Sequence, residues 1–255
     1  MELQGKVAVV VGGSAGVGRA YVLALAQAGA TVVAAARSMG ALDGEPPARR
    51  TLAEVLQASQ GLPGTVRAQV CDVESEADIA RLIEETVANF GRIDLLVNNA
   101  ADLSYFKTFA ITPDQWDRMM RINVHAPYLT IRHVAPHMIR QGSGSIVNIT
   151  SGSAAPTKAG AVGHEGLGLY AISKAALNRL TTFMSEELRA HGIAVNAISP
   201  GWVDSNAHTA AEARPPRKPA TAEVLGPPIL FLARQTAETM TGQILHTDEF
   251  GKSWP

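Results

Sequence analysis

Val7-Ala8-Val9-Val10-Val11-Gly12-Gly13-Ser14-Ala15-Gly16-Val17-Gly18 decides the fold of this chain. Residues 7–11 form an unbroken apolar, β-branched run with no polar alternation. A strand of that kind is buried on both faces, as in a parallel sheet. A helical pattern follows over residues 17–28 and stops at Gly29, a residue type that ends helices readily. The glycines in between allow a tight turn and let backbone N–H groups approach a pyrophosphate at the helix N-terminus. The spacing Gly-x-x-x-Gly-x-Gly differs from the Gly-x-Gly-x-x-Gly of many dinucleotide folds, and alone it also fits a plain strand–helix turn.

Outward from this unit, short apolar runs alternate with longer helical patterns. Strands are expected at residues 31–35, 66–70, 93–97, 145–149, 193–198 and 243–246. Helices are expected at 51–60, 78–90, 113–123, 127–141, 169–190 and 221–233. The segment 78–90 is amphipathic, with Ile79, Leu82, Ile83, Val87 and Phe90 on one side. Such alternation implies an α/β fold: a doubly wound parallel sheet, Rossmann-like, with helices on both faces. Residues 1–255 are read as one domain.

The bulk numbers agree. The chain has 255 residues, 46% of them hydrophobic, and a formal net charge of -1. Near-neutral charge offers no electrostatic basis for binding nucleic acid or an anionic membrane. Cys71 is the only cysteine, so no internal disulfide forms, which fits a reducing, cytoplasmic setting. Cys71 itself reads as a small buried apolar residue. The run 7–11 is too short to span a membrane, and residues 1–6 do not read as a signal peptide. The histidines lack metal-ligand spacing, so no metal site is expected.

The unusual residues fall at the carboxyl ends of the expected strands, where open α/β sheets bind ligands. Gly12–Gly18 follow the first, Arg37 and Ser38 the second, Asp72 the third, Asn98–Ala101 the fourth, Ser151 the fifth and Pro200-Gly201 the sixth. Residues 34–38 read Ala-Ala-Ala-Arg-Ser, with no acid to grip a ribose 2'-hydroxyl. An arginine there accommodates a 2'-phosphate, so NADP(H) is favoured over NAD(H), the alternative being an exposed surface arginine. Asp72 would accept from an adenine amino group, or cap the turn before Ser75.

Tyr170-Ala-Ile-Ser-Lys174 places a phenol and an ammonium on one helical face. A cation about 4 Å from a phenol, at an effective dielectric near 20, favours the phenolate by roughly 4 kcal/mol, or about three pKa units. That would bring the tyrosine into the range of a general acid–base catalyst.

Together these motifs resemble the short-chain dehydrogenase/reductase family over essentially the whole chain. The resemblance rests on the loop at 12–18, Asp72-Val73, Asn98-Asn99-Ala100-Ala101, Asn123, Ser151, Tyr170-x-x-x-Lys174, Asn196, Pro200-Gly201 and Thr241-Gly242. It implies an oxidoreductase that moves hydride between a nicotinamide cofactor and a small-molecule carbonyl or alcohol. Tyr170 would exchange a proton with the reacting oxygen, and Lys174 would lower its pKa and hydrogen-bond the cofactor ribose. Ser151 would hold the substrate oxygen, and Asn123 would hold a relay water. Gly12, Ser14, Ala15, Gly16, Val17 and Gly18 would take the pyrophosphate side, with Arg37, Ser38, Asp72 and Val73 on the adenosine side. Asn99, Ala100 and Ala101 would pack beside the ribose. Pro200, Gly201 and Val203 would shape the nicotinamide pocket, and Ser205 would bond the carboxamide. A homotetramer or homodimer is also implied, with the helices over 114–140 and 170–190 between subunits.

The chain departs from the family in places. Val11 replaces a threonine, Ala101 a glycine and Ser205 a threonine, and Ala15 stands where many NADP-preferring members have a basic residue. Ser151 and Tyr170 are separated by an insertion over 156–168, and Pro227-Pro228 should delay or bend the helix there. Ser153, His164 and Trp202, with residues 102–106, are the expected substrate contacts, and 206–220 reads as a lid. Two rival readings stay open on residues alone: a non-catalytic NADP(H) sensor on the same fold, and a reductase of an imine or activated double bond.

Overall fold

The structure is a computed structural model that describes residues 2–40, 51–156, 166–203 and 220–255. His164, Ser205, the stretch 43–50, most of the 156–168 insertion and all of the expected lid but Ala220 lie outside the described residues.

Strand β1 (Val7–Val11) is buried throughout, and its side chains divide by period two. Ala8 and Val10 enter one core; Val9 and Val11 enter the other. A strand that feeds two cores sits mid-sheet with helices on both sides. Helix α1 (Gly16–Gln27) follows, then β2 (Thr31–Ala36), α2 (Leu52–Ala58), β3 (Thr65–Val70) and α3 (Glu76–Phe90). The second half runs β4 (Leu95–Asn98), α4 (Pro113–Met120), a π turn (Arg121–His125), α5 (Ala126–Gln141) and β5 (Gly144–Ile149). It closes with α6 (Gly168–Arg189), β6 (Ile193–Ser199), α7 (Gly226–Leu232) and β7 (Ile244–His246).

All seven strands are parallel, in the order β3-β2-β1-β4-β5-β6-β7. The order reverses between β1 and β4, where Val11 lies opposite Asn98. That is the switch point at which doubly wound sheets open a ligand crevice. The expected strands and helices are all present, with ends that differ by a few residues.

The local chemistry explains the boundaries. Thr51 and Thr112 form capping boxes with Glu54 and Gln115 at the starts of α2 and α4. Gly91 ends α3 and Gly142 ends α5, both left-handed. Pro227 and Pro228 occupy the first positions of α7, where absent N–H groups are tolerated. The helix expected from 221 therefore begins at Gly226, preceded by a short 3-10 turn (Ala222–Leu225).

The region between β4 and α5 differs from expectation. A helix through residue 123 was expected, but α4 ends at Met120 and the backbone opens into the π turn, where Ala126 N–H bonds Arg121 C=O. Asn98, composed like a loop residue, is the buried end of β4. Its Nδ2 donates to Asn148 Oδ1 at 2.9 Å, and its Oδ1 accepts from Thr130 Oγ1 at 2.7 Å. Asn148 Nδ2 in turn donates to Thr181 Oγ1 at 2.9 Å. This buried chain ties α5, β4, β5 and α6 together with its polar groups satisfied.

At the opposite edge, Asp94 accepts from Lys6, Arg92 and the Val7 N–H. Those bonds outweigh burial and hold its carboxyl below the usual range. No helix among the described residues is long and apolar enough to cross a membrane.

Candidate functional site

The loop after β1 closes on the β4 end. Gly12 and Gly13 N–H groups both donate to Ala35 C=O, at 2.8 and 3.0 Å. Asn99 Nδ2 donates to Gly12 C=O at 2.8 Å. Val11 cannot brace the loop with a side chain, but its carbonyl accepts from Asn99 and Ala100 N–H at 3.0 and 2.9 Å. Backbone bonds do the bracing instead. Gly12 has φ +82° and abuts Ala100, and a Cβ on Gly18 would lie 2.0 Å from Gly12 C=O. No side chain fits at either position.

Helix α1 starts at Gly16 behind Ala15, and no side chain caps it. Its first N–H groups, and the positive end of its dipole, stay available to an anion. Ser14 and Val17 lie partly exposed on this loop. A glycine cradle in which Cβ atoms would clash, joined to an uncapped helix start, fits a dinucleotide pyrophosphate.

The flanking positions fall along the same edge. Arg37 is exposed just past β2, and Ser38 Oγ donates to Gly40 C=O at 2.6 Å. Asp72 Oδ1 accepts from Glu74 N–H at 3.0 Å, and its own N–H bonds Asp78 Oδ2. That carboxylate thus shapes the turn ahead of α3, where Ser75 is the N-cap. Val73 is buried in the core. Ala101 is partly buried behind Ala100. Past β6, Pro200 and Gly201 make the turn, with Gly201 at φ +74°. Val203 is buried and bridges Ala220, whose N–H donates to Trp202 C=O at 3.0 Å.

Ser151 caps the short 3-10 turn Gly152–Ala154 just past β5. Its Oγ accepts from Ser153 N–H at 3.2 Å and Ser153 Oγ at 3.0 Å. Two acceptances leave the Ser151 proton to donate, and it goes to the Tyr170 hydroxyl. Ser153 lies beside Ser151 and orients it.

Tyr170 and Lys174 lie one turn apart on α6, both buried. Lys174 Nζ is 5.7 Å from the Tyr170 ring centroid and donates to Ile149 C=O at 2.8 Å. Here the structure corrects the expectation that the lysine lowers the phenol's pKa. Burial pushes Tyr170 up to about 12, against a hydrogen bond from Ser151 that pulls it down. Burial also brings Lys174 down to about 7, so near neutrality much of its charge is gone. Desolvation, which residue spacing does not reveal, outweighs the pairwise attraction in the free protein.

Asn123 sits in the π turn, fully buried. Its Oδ1 accepts from Asp102 N–H at 2.7 Å, and its Nδ2 donates to Asp102 C=O and Ser173 Oγ, each at 3.0 Å. Ser173 Oγ donates to Tyr170 C=O at 2.7 Å. The carboxamide thus joins the post-β4 loop to the first turns of α6. Ser173 went unnoticed in the sequence, although it stands inside the Tyr170–Lys174 interval on the next helical step. Asn196 is a brace outside the site: it bonds Met240 C=O and Gln243 N–H, pinning the entry to β7.

The comparisons agree with this geometry. The family model for short chain dehydrogenase matches residues 6–216. The chain is 32% identical to the 3-oxoacyl-(acyl-carrier-protein) reductase FabG of Thermotoga maritima, over 97% of this chain and 98% of the relative. It is 34% identical to a Mycobacterium tuberculosis protein named an NAD-dependent oxidoreductase, over 80% of this chain and 74% of that one. Among solved structures, a Beutenbergia cavernae protein superposes with a TM-score of 0.81 at 31% identity, covering 96% of each chain. That protein carries a provisional assignment as an NAD(P)-dependent gluconate 5-dehydrogenase and holds NADP at low occupancy. A cradle for a dinucleotide, a buried phenol–lysine pair and relatives of this kind have one common reading: the chain belongs to the short-chain dehydrogenase/reductase family and is an NAD(P)-dependent oxidoreductase.

Proposed function

We propose that this enzyme uses NADP(H) to interconvert a ketone or aldehyde with its alcohol, with Tyr170 as general acid–base. The observation that carries the reading is the grouping of Tyr170, Ser151 and Lys174 around the ends of β5 and α6. When bound, the nicotinamide supplies or accepts the hydride. Gly12, Ser14, Ala15, Gly16, Val17 and Gly18 hold the pyrophosphate. Asn99, Ala100 and Ala101 flank the ribose, and Pro200, Gly201 and Val203 border the nicotinamide.

The protein's own chemistry follows from its protonation. A phenol whose pKa stands near 12 keeps its proton and suits donation to a carbonyl oxygen. Ser151 turns its proton from Tyr170 to the same oxygen and stabilises the charge that develops there. Lys174, already poised on Ile149 C=O, exchanges that partner for the ribose and restores the phenol's proton. Asn123 fixes the frame through Asp102 and Ser173. Asp72, Val73 and Ser38 border the adenosine.

Arg37 supports NADP(H) over NAD(H), by its position past β2 with no acid nearby in sequence. Arg37→Ala is expected to lower kcat/KM for NADPH about tenfold, the loss of one charge-assisted phosphate contact. The value for NADH should stay within about twofold. Steady-state kinetics with both cofactors check this, and an equal fall for both would place the preference elsewhere.

The substrate is a small carbonyl compound or alcohol. The 3-oxoacyl group named for the Thermotoga relative is one class to try. Residues 1–255 act as one dinucleotide-binding and catalytic domain, and the cytoplasm is the proposed compartment, consistent with a single buried free cysteine. Trp116, Tyr128, Ile172 and Phe183 leave apolar surface exposed on α4, α5 and α6. This supports a homodimer or homotetramer built across those helices. Sedimentation velocity should then show a species of two or four chains, and a monomer at micromolar concentration would refute the assembly.

A further inference from the structure

The chain leaving β5 turns sharply at Ser151. Ala154 N–H donates to Ser151 C=O at 3.0 Å and Ala155 N–H to Gly152 C=O at 3.3 Å, closing the 3-10 turn Gly152–Ala154 with backbone bonds. Just before it, Thr150 N–H donates to Ile198 C=O at 2.9 Å and ties the turn to β6. The backbone thus fixes the place of Ser153, which is partly buried. Its hydroxyl is not needed to hold the turn.

That hydroxyl points back to Ser151. Ser153 Oγ donates to Ser151 Oγ at 3.0 Å, and Ser153 N–H reaches the same oxygen at 3.2 Å. Ser153 was expected to touch substrate; its one proton is instead spent on Ser151. A serine oxygen accepts two hydrogen bonds and donates one. With both acceptor sites filled by one neighbour, Ser151 Oγ has no lone pair left for a proton from Tyr170 or from a substrate alcohol. It is held as a donor, and the three hydroxyls run in one direction, from Ser153 to Ser151 to Tyr170. Hydroxyls aligned this way polarise one another, so each donation strengthens the next.

We propose that Ser153 is a positioning residue of the reaction: by filling both acceptor sites of Ser151 Oγ it sets the direction of the Ser153–Ser151–Tyr170 chain, so that Tyr170 keeps its proton for the substrate carbonyl and, in alcohol oxidation, its phenolate meets a polarised donor. This rests on the oxidoreductase site proposed above. Ser153 acts through Ser151 alone. When Ser151 turns its proton to the substrate oxygen, both of its acceptor sites stay filled. In Ser153→Ala the N–H bond to Ser151 remains, but one acceptor site opens and the Tyr170 proton turns towards Ser151 instead of the substrate.

The test uses the full chain in both directions: NADPH with the ketone that wild type reduces fastest among cyclohexanone, 2-pentanone and ethyl acetoacetate, and NADP+ with the matching alcohol. Ser153→Ala is expected to lower kcat for reduction about tenfold and to leave KM within about twofold, as for an interaction felt only in the transition state. In oxidation the apparent pKa of kcat/KM should rise by about 0.5, because the phenolate meets a less polarised donor. Ser153→Thr keeps the hydroxyl and should restore both. Ser151→Ala should lower kcat about 10²-fold, and adding Ser153→Ala to it should cost less than about twofold more, since the second change has nothing left to act through. Wild-type kcat and pH profile in Ser153→Ala would overturn the proposal. So would a loss confined to KM and different for each ketone, the mark of a direct substrate contact, or a full tenfold loss added on top of Ser151→Ala. The Ser151→Ala variant also separates the two readings. If it keeps near wild-type turnover, the site reading itself fails; if it is slow while Ser153→Ala is unchanged, only the Ser153 assignment fails.

Discussion

Tyr170→Phe lowers kcat/KM for ketone reduction by roughly 10²- to 10⁴-fold, the range of a lost general acid, while NADPH still binds. The ring is nine-tenths buried against Met119 and Leu169, and phenylalanine fills the same space. Only the hydroxyl and its proton are lost. Stopped-flow absorbance of NADPH, with cofactor affinity measured by fluorescence, checks both halves. A Tyr170→Phe enzyme with near wild-type kcat would move the proton donor elsewhere, and one that no longer bound NADPH would mark Tyr170 as structural.

Lys174→Met is expected to cost about 10²-fold or more in kcat and, in the cofactor-free protein, to alter stability in a direction that identifies the cause. The folded pKa of Lys174 is about 7, against 10.5 for an unburied lysine. Between those values the unfolded chain binds a proton that the folded chain does not. Wild-type stability therefore rises with pH through this window, by up to about 1.4 kcal/mol per pH unit for one proton. Below pH 7 the buried ammonium exerts its full cost. Lys174→Met removes that proton and flattens the slope, leaving the variant more stable than wild type at neutral pH. Urea unfolding between about pH 7.5 and 9 isolates the effect. The folded-state shifts of Cys71 and Tyr170 lie above that window, and they have the opposite sign: raised pKa values make stability fall as pH rises. Parallel slopes in wild type and variant would show that Lys174 keeps its charge in the free protein. A catalytic lysine that destabilises its own fold is a cost accepted for function.

The sequence carried the sheet well because the signal is physical and local. An unbroken apolar run such as residues 7–11 reads as a strand buried on both faces, and the glycines and capping residues punctuate the elements. Their carboxyl ends then gather Gly12, Arg37, Asp72, Asn98, Ser151 and Pro200 without further information. What stayed hidden depends on depth or on non-local partners. The π turn at Arg121–His125 leaves no trace in apolar periodicity, because one extra backbone step shifts the register without changing composition. Asn98 and Asn148 look like loop residues until Thr130 and Thr181 arrive from helices distant in sequence. Asp72 offered two readings, and its bond to Glu74 N–H gives it a turn-shaping part whether or not it also meets adenine. The direction of the Tyr170 shift was misjudged because residue spacing supplies the attraction between two groups but not the burial that competes with it.

The most direct test of the account is an ultraviolet difference titration of the Tyr170 phenolate, wild type minus Tyr170→Phe, with and without NADP+. In the free protein Tyr170 should titrate near 12. With NADP+ bound, its nicotinamide would bring a positive charge to the phenol, where Lys174 carries little at that pH, and the titration should fall by at least about two units. A phenol that titrates at the same pH in both states would contradict the claim that Tyr170 faces the cofactor as the acid–base group of the site.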